Sequence, residues 1–351
     1  MSTRPTRGRS ARAPRTGDAA LDQELEAILD QLGVDEDRDL LFDVLVSAVR
    51  LASDHADRLD LKITSATLKE MRTAFRAFAP YRDVPKITIF GSARTLPTDP
   101  SYAQARDLAQ HMAARGWMVI TGAGPGIMAA GLEGAGREHS FGVNIRLPFE
   151  QSANAFIAGD EKLISMKYFF TRKLMLIKES LGFVSLPGGF GTLDETMELL
   201  TLLQTGKAVP APVVLLDEPG GTFWPAFARF LQDEPAQRGL INDDDLDLFL
   251  CTDDVQVAAD DVLGFYRNYR SLRWVGDQLV LRMERAPSDA QLADLEREFG
   301  EIAVDHKIEG SGPLPAEVRD DDHLELARII LRYNGFAAGK LRRLINSVNS
   351  F

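Results

Sequence analysis

The chain of 351 residues holds one cysteine, Cys251, which excludes an internal disulfide and a cysteine-built zinc site. A lone thiol suits a reducing compartment, so a cytoplasmic location is expected. No apolar run approaches the roughly 18 residues that a bilayer-spanning helix requires, and no membrane partner is expected. Basic charge is in deficit: Lys+Arg 40 against Asp+Glu 52 leave a formal net charge of −12. That balance argues against nucleic acid as a partner of the folded body. The histidines His55, His111, His139, His306 and His323 are scattered without ligand spacing. There is no Gly-x-Ser-x-Gly elbow, no Walker A lysine and no His-Glu-x-x-His, so none of the chemistries those motifs serve is indicated.

The composition that remains is that of an ordinary globular protein, 45% hydrophobic and 26% charged. Its length allows about two domains. Residues 1–18 form a basic tail with Arg4, Arg7, Arg9, Arg12 and Arg15; it has no apolar stretch of signal-peptide type and is expected to be disordered. Residues 19–85 read as a helical extension, with Leu41, Leu45, Ala48 and Ala52 on one face and Leu68, Met71, Phe75 and Phe78 on another. From 86 to 269 strands and helices alternate. Strands are expected at 87–90, 117–121, 142–145, 183–186, 213–216 and 248–251. Helices are expected at 102–115, 127–137, 168–180, 193–203, 223–232 and 255–269, the last opened by Thr252 as N-cap. Continuous apolar strands between amphipathic helices predict an α/β fold with a doubly wound, Rossmann-like parallel sheet. Residues 270–351 read as a small α+β appendage: strands at 279–283 and 302–308, a helix at 290–299, a Gly/Pro-rich loop at 309–315 and a helix at 323–346.

Two glycine-dense turns follow apolar strands, Thr121-Gly-Ala-Gly-Pro-Gly-Ile-Met128 and Leu186-Pro-Gly-Gly-Phe-Gly-Thr-Leu-Asp-Glu195. Strand, glycine turn and helix N-terminus together surround one phosphate with backbone N–H groups. In the second turn Gly188, Gly189 and Gly191 let backbone approach an anion, and Thr192 adds a hydroxyl. Glu195 admits two roles. Thr192-x-x-Glu195 fits a capping box, while a carboxylate beside a phosphate cradle suits stabilisation of a ribosyl oxocarbenium ion. Spacing leaves both open. In the first turn Gly122, Gly124 and Gly126 do not make the dinucleotide fingerprint, and Met128 closes the segment. Ser92, in Phe90-Gly91-Ser92-Ala93-Arg94, sits on a further small-residue turn.

Arg172 and Lys173 open an aromatic-rich helix; neighbours there point about 100° apart, and a solvated pair is the ordinary outcome. Asp243–Asp245 and Asp320–Asp322 precede helical sequence and read as solvated N-terminal turns rather than metal clusters. Lys207 follows Gly206 at a helix end, where a cation opposes the dipole, so decarboxylation on a Schiff-base lysine is disfavoured.

At these residues the chain resembles the LOG (Lonely Guy) family of nucleoside 5′-monophosphate phosphoribohydrolases, once labelled lysine decarboxylases, in its long bacterial form. Pro187 to Glu195 matches the family pattern Pro-Gly-Gly-x-Gly-Thr-x-x-Glu, and Arg172, Lys173 and Met175 match its Arg-Lys step. Thr121 to Ala129 matches the first glycine element loosely, with Ala123, Ile127 and Ala129 departing. The resemblance covers about residues 86–265. It implies an N-glycosidase that releases free base and ribose 5-phosphate, from AMP or cytokinin riboside 5′-monophosphate types of substrate. It assigns catalysis to Arg172 and Glu195. Substrate contacts are expected from Ser92, Gly122, Gly124, Gly126, Met128, Lys173, Gly188, Gly189, Gly191, Thr192 and Thr201. No metal and no redox cofactor is implied, and the sites are expected near a dimer interface of a homo-oligomer. The competing class is a non-catalytic nucleotide-binding, regulatory or cofactor-carrier protein on the same fold; the intact Glu195 and Arg172 weigh against it.

Overall fold

A computed structural model describes residues 15–146 and 153–351. Arg4, Arg7, Arg9 and Arg12 of the expected basic tail lie outside the described residues. The described chain falls into two compact units, one ending at Arg72 and the other running from Thr73 to Phe351.

The first unit is helical. It contains α1 (Ala19–Gln31), α2 (Arg38–Ser53) and most of α3 (Arg58–Phe78). The Asp18 carboxylate caps α1 by accepting from Ala20 N and Leu21 N. Leu25 and Leu29 pack with Phe42 and Val46, so the apolar stripes of α1 and α2 bury each other.

The second unit opens with the end of α3 and alternates strand and helix: β1 (Lys86–Phe90), α4 (Pro100–Ala113), β2 (Met118–Thr121), α5 (Ile127–Ala135) and β3 (Ser140–Ile145). After β4 (Leu163–Met166) come α6 (Phe169–Lys178), β5 (Gly182–Ser185), α7 (Phe190–Gln204) and β6 (Val213–Leu216). Then follow α8 (Phe223–Leu231), β7 (Leu250–Thr252) and α9 (Val255–Gly264). Among the described residues these strands make one seven-stranded parallel sheet in the order β4-β3-β2-β1-β5-β6-β7. Successive strand residues feed opposite layers. Met118 and Ile120 join the core under α6, α7 and α8, while Val119 joins the one under α4, α5 and α9. The sheet is therefore doubly wound, as expected. Strand order reverses between β1 and β5, and the crevice at that switch point is where such sheets receive ligands.

The remainder is β8 (Tyr269–Val275), β9 (Gln278–Met283), α10 (Asp289–Phe299), β10 (Glu309–Ser311), α11 (Pro315–Arg319), β11 (Ala327–Leu331) and α12 (Ala338–Asn349). Its strands pair antiparallel in the order β10-β11-β9-β8. One face of this sheet packs Leu272, Leu281, Met283, Ile329 and Leu331 against α10 and α12. The other face carries Arg273, Arg282 and Arg328. Arg328 and Arg282 stand directly opposite across the ladder, an arrangement that is unfavourable unless compensated. Glu317 compensates it, accepting from Arg282 Nε at 2.8 Å and Arg328 Nε at 3.0 Å. Asp322 pairs with Arg282 and Arg273, and Asp320 pairs with Arg273.

Several expectations are corrected here. The 323–346 helix is instead β11 followed by α12, and 302–308 forms no strand: Ala303 makes an isolated bridge to Tyr333, and β10 starts at Glu309. The helix expected at 255–269 ends at Gly264, and Tyr269 begins β8; its N-cap is Asp254, not Thr252. Asp320 and Asp321 are exposed, as expected of a solvated turn, but Asp320 also pairs with Arg273, and Asp322 is half-buried against Arg273 and Arg282. Asp245 is buried, caps a 3₁₀ turn with Asn242 and accepts from Gln204. Among the described residues no helix is long and apolar enough to cross a membrane.

Candidate active site

Three loops meet at the carboxyl edge of the sheet, from the adjacent strands β2, β1 and β5. Ser92, just past β1, is their junction: its N–H donates to Pro187 O at 3.3 Å and its carbonyl accepts from Ile127 N at 3.0 Å. Gly126 lies against this junction with φ +65, and a Cβ there would come within 2.3 Å of Ser92 O. No side chain fits.

The second glycine turn delivers α7. The helix starts at Phe190, with extended Gly189 as N-cap and no side-chain cap. Its first N–H groups are thus left without a capping side chain, at the positive end of the helix dipole. A Cβ on Gly189 or Gly191 would meet nothing within 4 Å, so this loop borders open space. Thr192 is held by the turn itself: its hydroxyl lies where a Cβ on Gly188 would be, 2.1 Å away. Thr196 ties the helix to β5, donating to Thr192 O and sharing a 2.8 Å hydrogen bond with Ser185.

Because α7 begins at Phe190, Thr192 is its third residue and Glu195 its sixth. The capping box therefore does not form, which corrects that reading. Glu195 is 7% exposed, and its Oε2 has no hydrogen-bond partner. Burial pushes its pKa up to about 7, against the lowering pull of Lys173 and Arg172. Such a carboxylate exchanges charge near neutral pH, as acid–base and charge-stabilising groups do.

Arg172 and Lys173 lie on the first turns of α6, and neither is the solvated residue expected of an Arg-Lys step. Arg172 Nε donates to Val143 O at 2.9 Å. Its guanidinium crosses Gly122 so closely that a Cβ there would be 1.9 Å from Nη2. Met128 covers the same loop, with Sδ 2.7 Å from that Cβ position. Lys173 turns to α7, pairing with Asp194 at 2.8 Å and Glu198 at 2.6 Å. Its ammonium thereby ties α6 to α7.

The structure thus brings together Ser92, Gly122, Gly124, Gly126, Met128, Arg172, Gly188, Gly189, Gly191, Thr192 and Glu195. Thr201 is set apart: it lies six residues beyond Glu195, about 9 Å along the axis, and its hydroxyl donates back to Met197 O. Sequence reasoning missed Asp194 and Glu198, although their spacing around Glu195 on one helix was a readable signal. It also missed Asn154, which donates from Nδ2 to Gly124 O at 2.9 Å and from its backbone to Ala123 O. Nothing in the local pattern marks that residue. Ala123 stands at a glycine position of the family element and adopts left-handed backbone, φ 58, while fully buried; the turn accepts a methyl group at some conformational cost.

A family model described as "Possible lysine decarboxylase" matches residues 123–262. A protein of Arabidopsis thaliana named "Probable cytokinin riboside 5'-monophosphate phosphoribohydrolase" is 32% identical over 146 residues, covering 40% of this chain and 69% of that one. A protein of Oryza sativa subsp. japonica with the same description is 30% identical over 142 residues, covering 39% and 64%. Among solved structures, the molybdenum cofactor carrier protein of Chlamydomonas reinhardtii aligns over 51% of this chain and 96% of its own, at 22% identity and a TM-score of 0.36. The molybdenum cofactor binding protein of Rippkaea orientalis aligns over 43% and 86%, at 24% identity and a TM-score of 0.33. The Arg-Lys step and the Pro-Gly-Gly turn both fall inside the matched stretch 123–262. On that similarity, with the shared motifs gathered around one carboxylate, the chain belongs to the LOG family.

Proposed function

We propose that this protein hydrolyses the N-glycosidic bond of nucleoside 5′-monophosphates of the AMP or cytokinin riboside type, giving free base and ribose 5-phosphate. The observation that carries this reading is the buried Glu195 carboxylate, one oxygen unpartnered, beside the uncapped start of α7 and within the field of Arg172. The names of the Arabidopsis and rice relatives supply the same reaction.

In this reading the 5′-phosphate rests on the Gly188–Thr192 turn, and its binding energy positions the ribose. As the base departs, positive charge grows at C1′. Ionised Glu195 stabilises that charge and orients the water whose oxygen forms the new bond to C1′. One of the water's protons passes to the leaving base and the other stays on the new C1′ hydroxyl of ribose 5-phosphate. Arg172, fixed by Val143 O, holds phosphate or ribose oxygens or assists the base as it leaves. Lys173 keeps Glu195 in place through Asp194 and Glu198. The protein acts as a homo-oligomer with sites near a subunit interface. In support, Phe190 is 94% exposed at the mouth of the turn, and Phe169 and Phe170 are also exposed.

The test is incubation with AMP, GMP, CMP, UMP and isopentenyladenosine 5′-monophosphate, with chromatography for free base. Release of a purine base with equal ribose 5-phosphate supports the reading. Tight binding without release from any nucleotide overturns it in favour of a carrier or regulatory protein.

A further inference from the structure

A cavity of about 440 Å³ lies at the far end of α7 from Glu195. One wall is the chain leaving that helix, from Leu203 to Ala211; the other comes from β8, β9 and the segment from Tyr333 to Arg342. The volume falls in the range that holds small organic ligands. Leu203, Leu248, Leu272, Leu279 and Leu341 make it mainly apolar. Trp274 and Tyr333 add an aromatic pair, their rings 6.3 Å apart at 50°.

Several polar groups around it keep donors that no protein acceptor takes, the solvent-exposed Lys207 among them. Among the described residues Lys207 forms no ion pair and the Trp274 indole N–H no hydrogen bond. The Tyr333 hydroxyl accepts from Ala337 N at 3.2 Å, which leaves its own proton unused. Asn334 and Arg342 are already engaged, and Gln204 donates to Asp245, leaving its amide oxygen as the spare acceptor. Asp244 and Asp245 act on the Tyr333 side, so negative charge on a ligand is favoured at the Lys207 end.

We infer that this cavity is a second binding site, for a planar aromatic acid whose ring lies by Trp274 and Tyr333 and whose anionic group meets Lys207. The ring supplies apolar area to the leucine walls, and the anion pairs with the exposed Lys207 ammonium. The inference concerns binding alone and holds whether or not the Glu195 site is hydrolytic.

The test is titration of the full chain with 1-naphthoate, followed by tryptophan fluorescence and calorimetry. The variants are Lys207→Glu, which reverses the charge, and Val209→Trp, which fills the mouth from an exposed position. One saturable site is expected, weakened at least about tenfold in each variant, the scale of losing a charge contact or the cavity volume. The neutral analogue 1-naphthalenemethanol is expected to bind more weakly than the acid, and AMP not to displace the acid. No saturation at millimolar 1-naphthoate, equal affinity in wild type and both variants, or displacement by AMP would each overturn the inference.

Discussion

Lys173 forms a 2.6 Å ion pair with Glu198, one turn of α7 beyond Glu195, while the Glu195 carboxylate keeps an oxygen without any partner. The cation is close enough to lower the Glu195 pKa but is spent on the neighbouring acids. The helix therefore carries one buried acid poised near neutrality between two that are neutralised.

Replacing Lys173 with Met removes the largest lowering influence on Glu195, so its pKa moves above about 7. If ionised Glu195 is the working form, the rising limb of the kcat/KM profile shifts to higher pH, and the rate at pH 7 falls roughly threefold to tenfold. A profile that keeps its midpoint in Lys173→Met contradicts the positioning role.

The same acid is a stability liability above its unfolded pKa. Below the ordinary glutamate value of 4.5 both states hold the proton; between 4.5 and about 7 the unfolded chain releases it first, so folding weakens as pH rises. Glu195→Gln removes that penalty. Urea unfolding should show the variant more stable than wild type by about 1–3 kcal/mol at pH 8, with the difference gone at pH 4. Equal stability of the two proteins at pH 8 would contradict the burial of an ionisable Glu195.

Gly122→Ala places a methyl group 1.9 Å from Arg172 Nη2. The guanidinium must shift, and a displacement of this size in a catalytic constellation costs about 10²-fold in kcat/KM. Circular dichroism and melting should change little, because the far end of a flexible side chain gives way. Wild-type kinetics in Gly122→Ala would remove Arg172 from the chemistry.

Glu317 is fully buried between Arg282 and Arg328. Its pKa is lowered: burial, which raises it, is outweighed by hydrogen bonds from Leu314 N, Arg282 and Arg328. Its contribution to stability is thus present above pH 4.5 and is lost as pH falls below that value. Glu317→Gln leaves two buried guanidinium groups short of a counter-charge and is expected to cost about 3–5 kcal/mol by chemical denaturation. A loss under 1 kcal/mol would show that water reaches this network.

The α/β architecture was readable because its central strands, such as Val213–Leu216, are continuously apolar and buried on both faces. The missed strands lack that property. β4 exposes Ser165 and Leu163 in part, β8 carries Arg273, and β11 carries Arg328. Those arginines are acceptable inside a sheet only because Glu317, Asp320 and Asp322 arrive from distant sequence, which local periodicity cannot register. The candidate site was legible in its glycines, Arg172 and Glu195, whose types and spacing mark the two turns and the start of α6. The start of α7 was not, since Thr192 and Glu195 mimic a capping box that the unbroken helix from Phe190 overrides. The destination of Lys173 was equally hidden, as it depends on how α6 meets α7.

The central claim is that the Glu195 carboxylate drives cleavage of a nucleotide's glycosidic bond. It is met most directly by comparing wild type and Glu195→Gln on AMP, quantifying adenine and ribose 5-phosphate together. The account predicts equimolar products from wild type and a rate lower by at least about 10³-fold in the variant, the scale of a lost transition-state charge contact, with the variant folded. Cleavage of AMP by folded Glu195→Gln at the wild-type rate would contradict it.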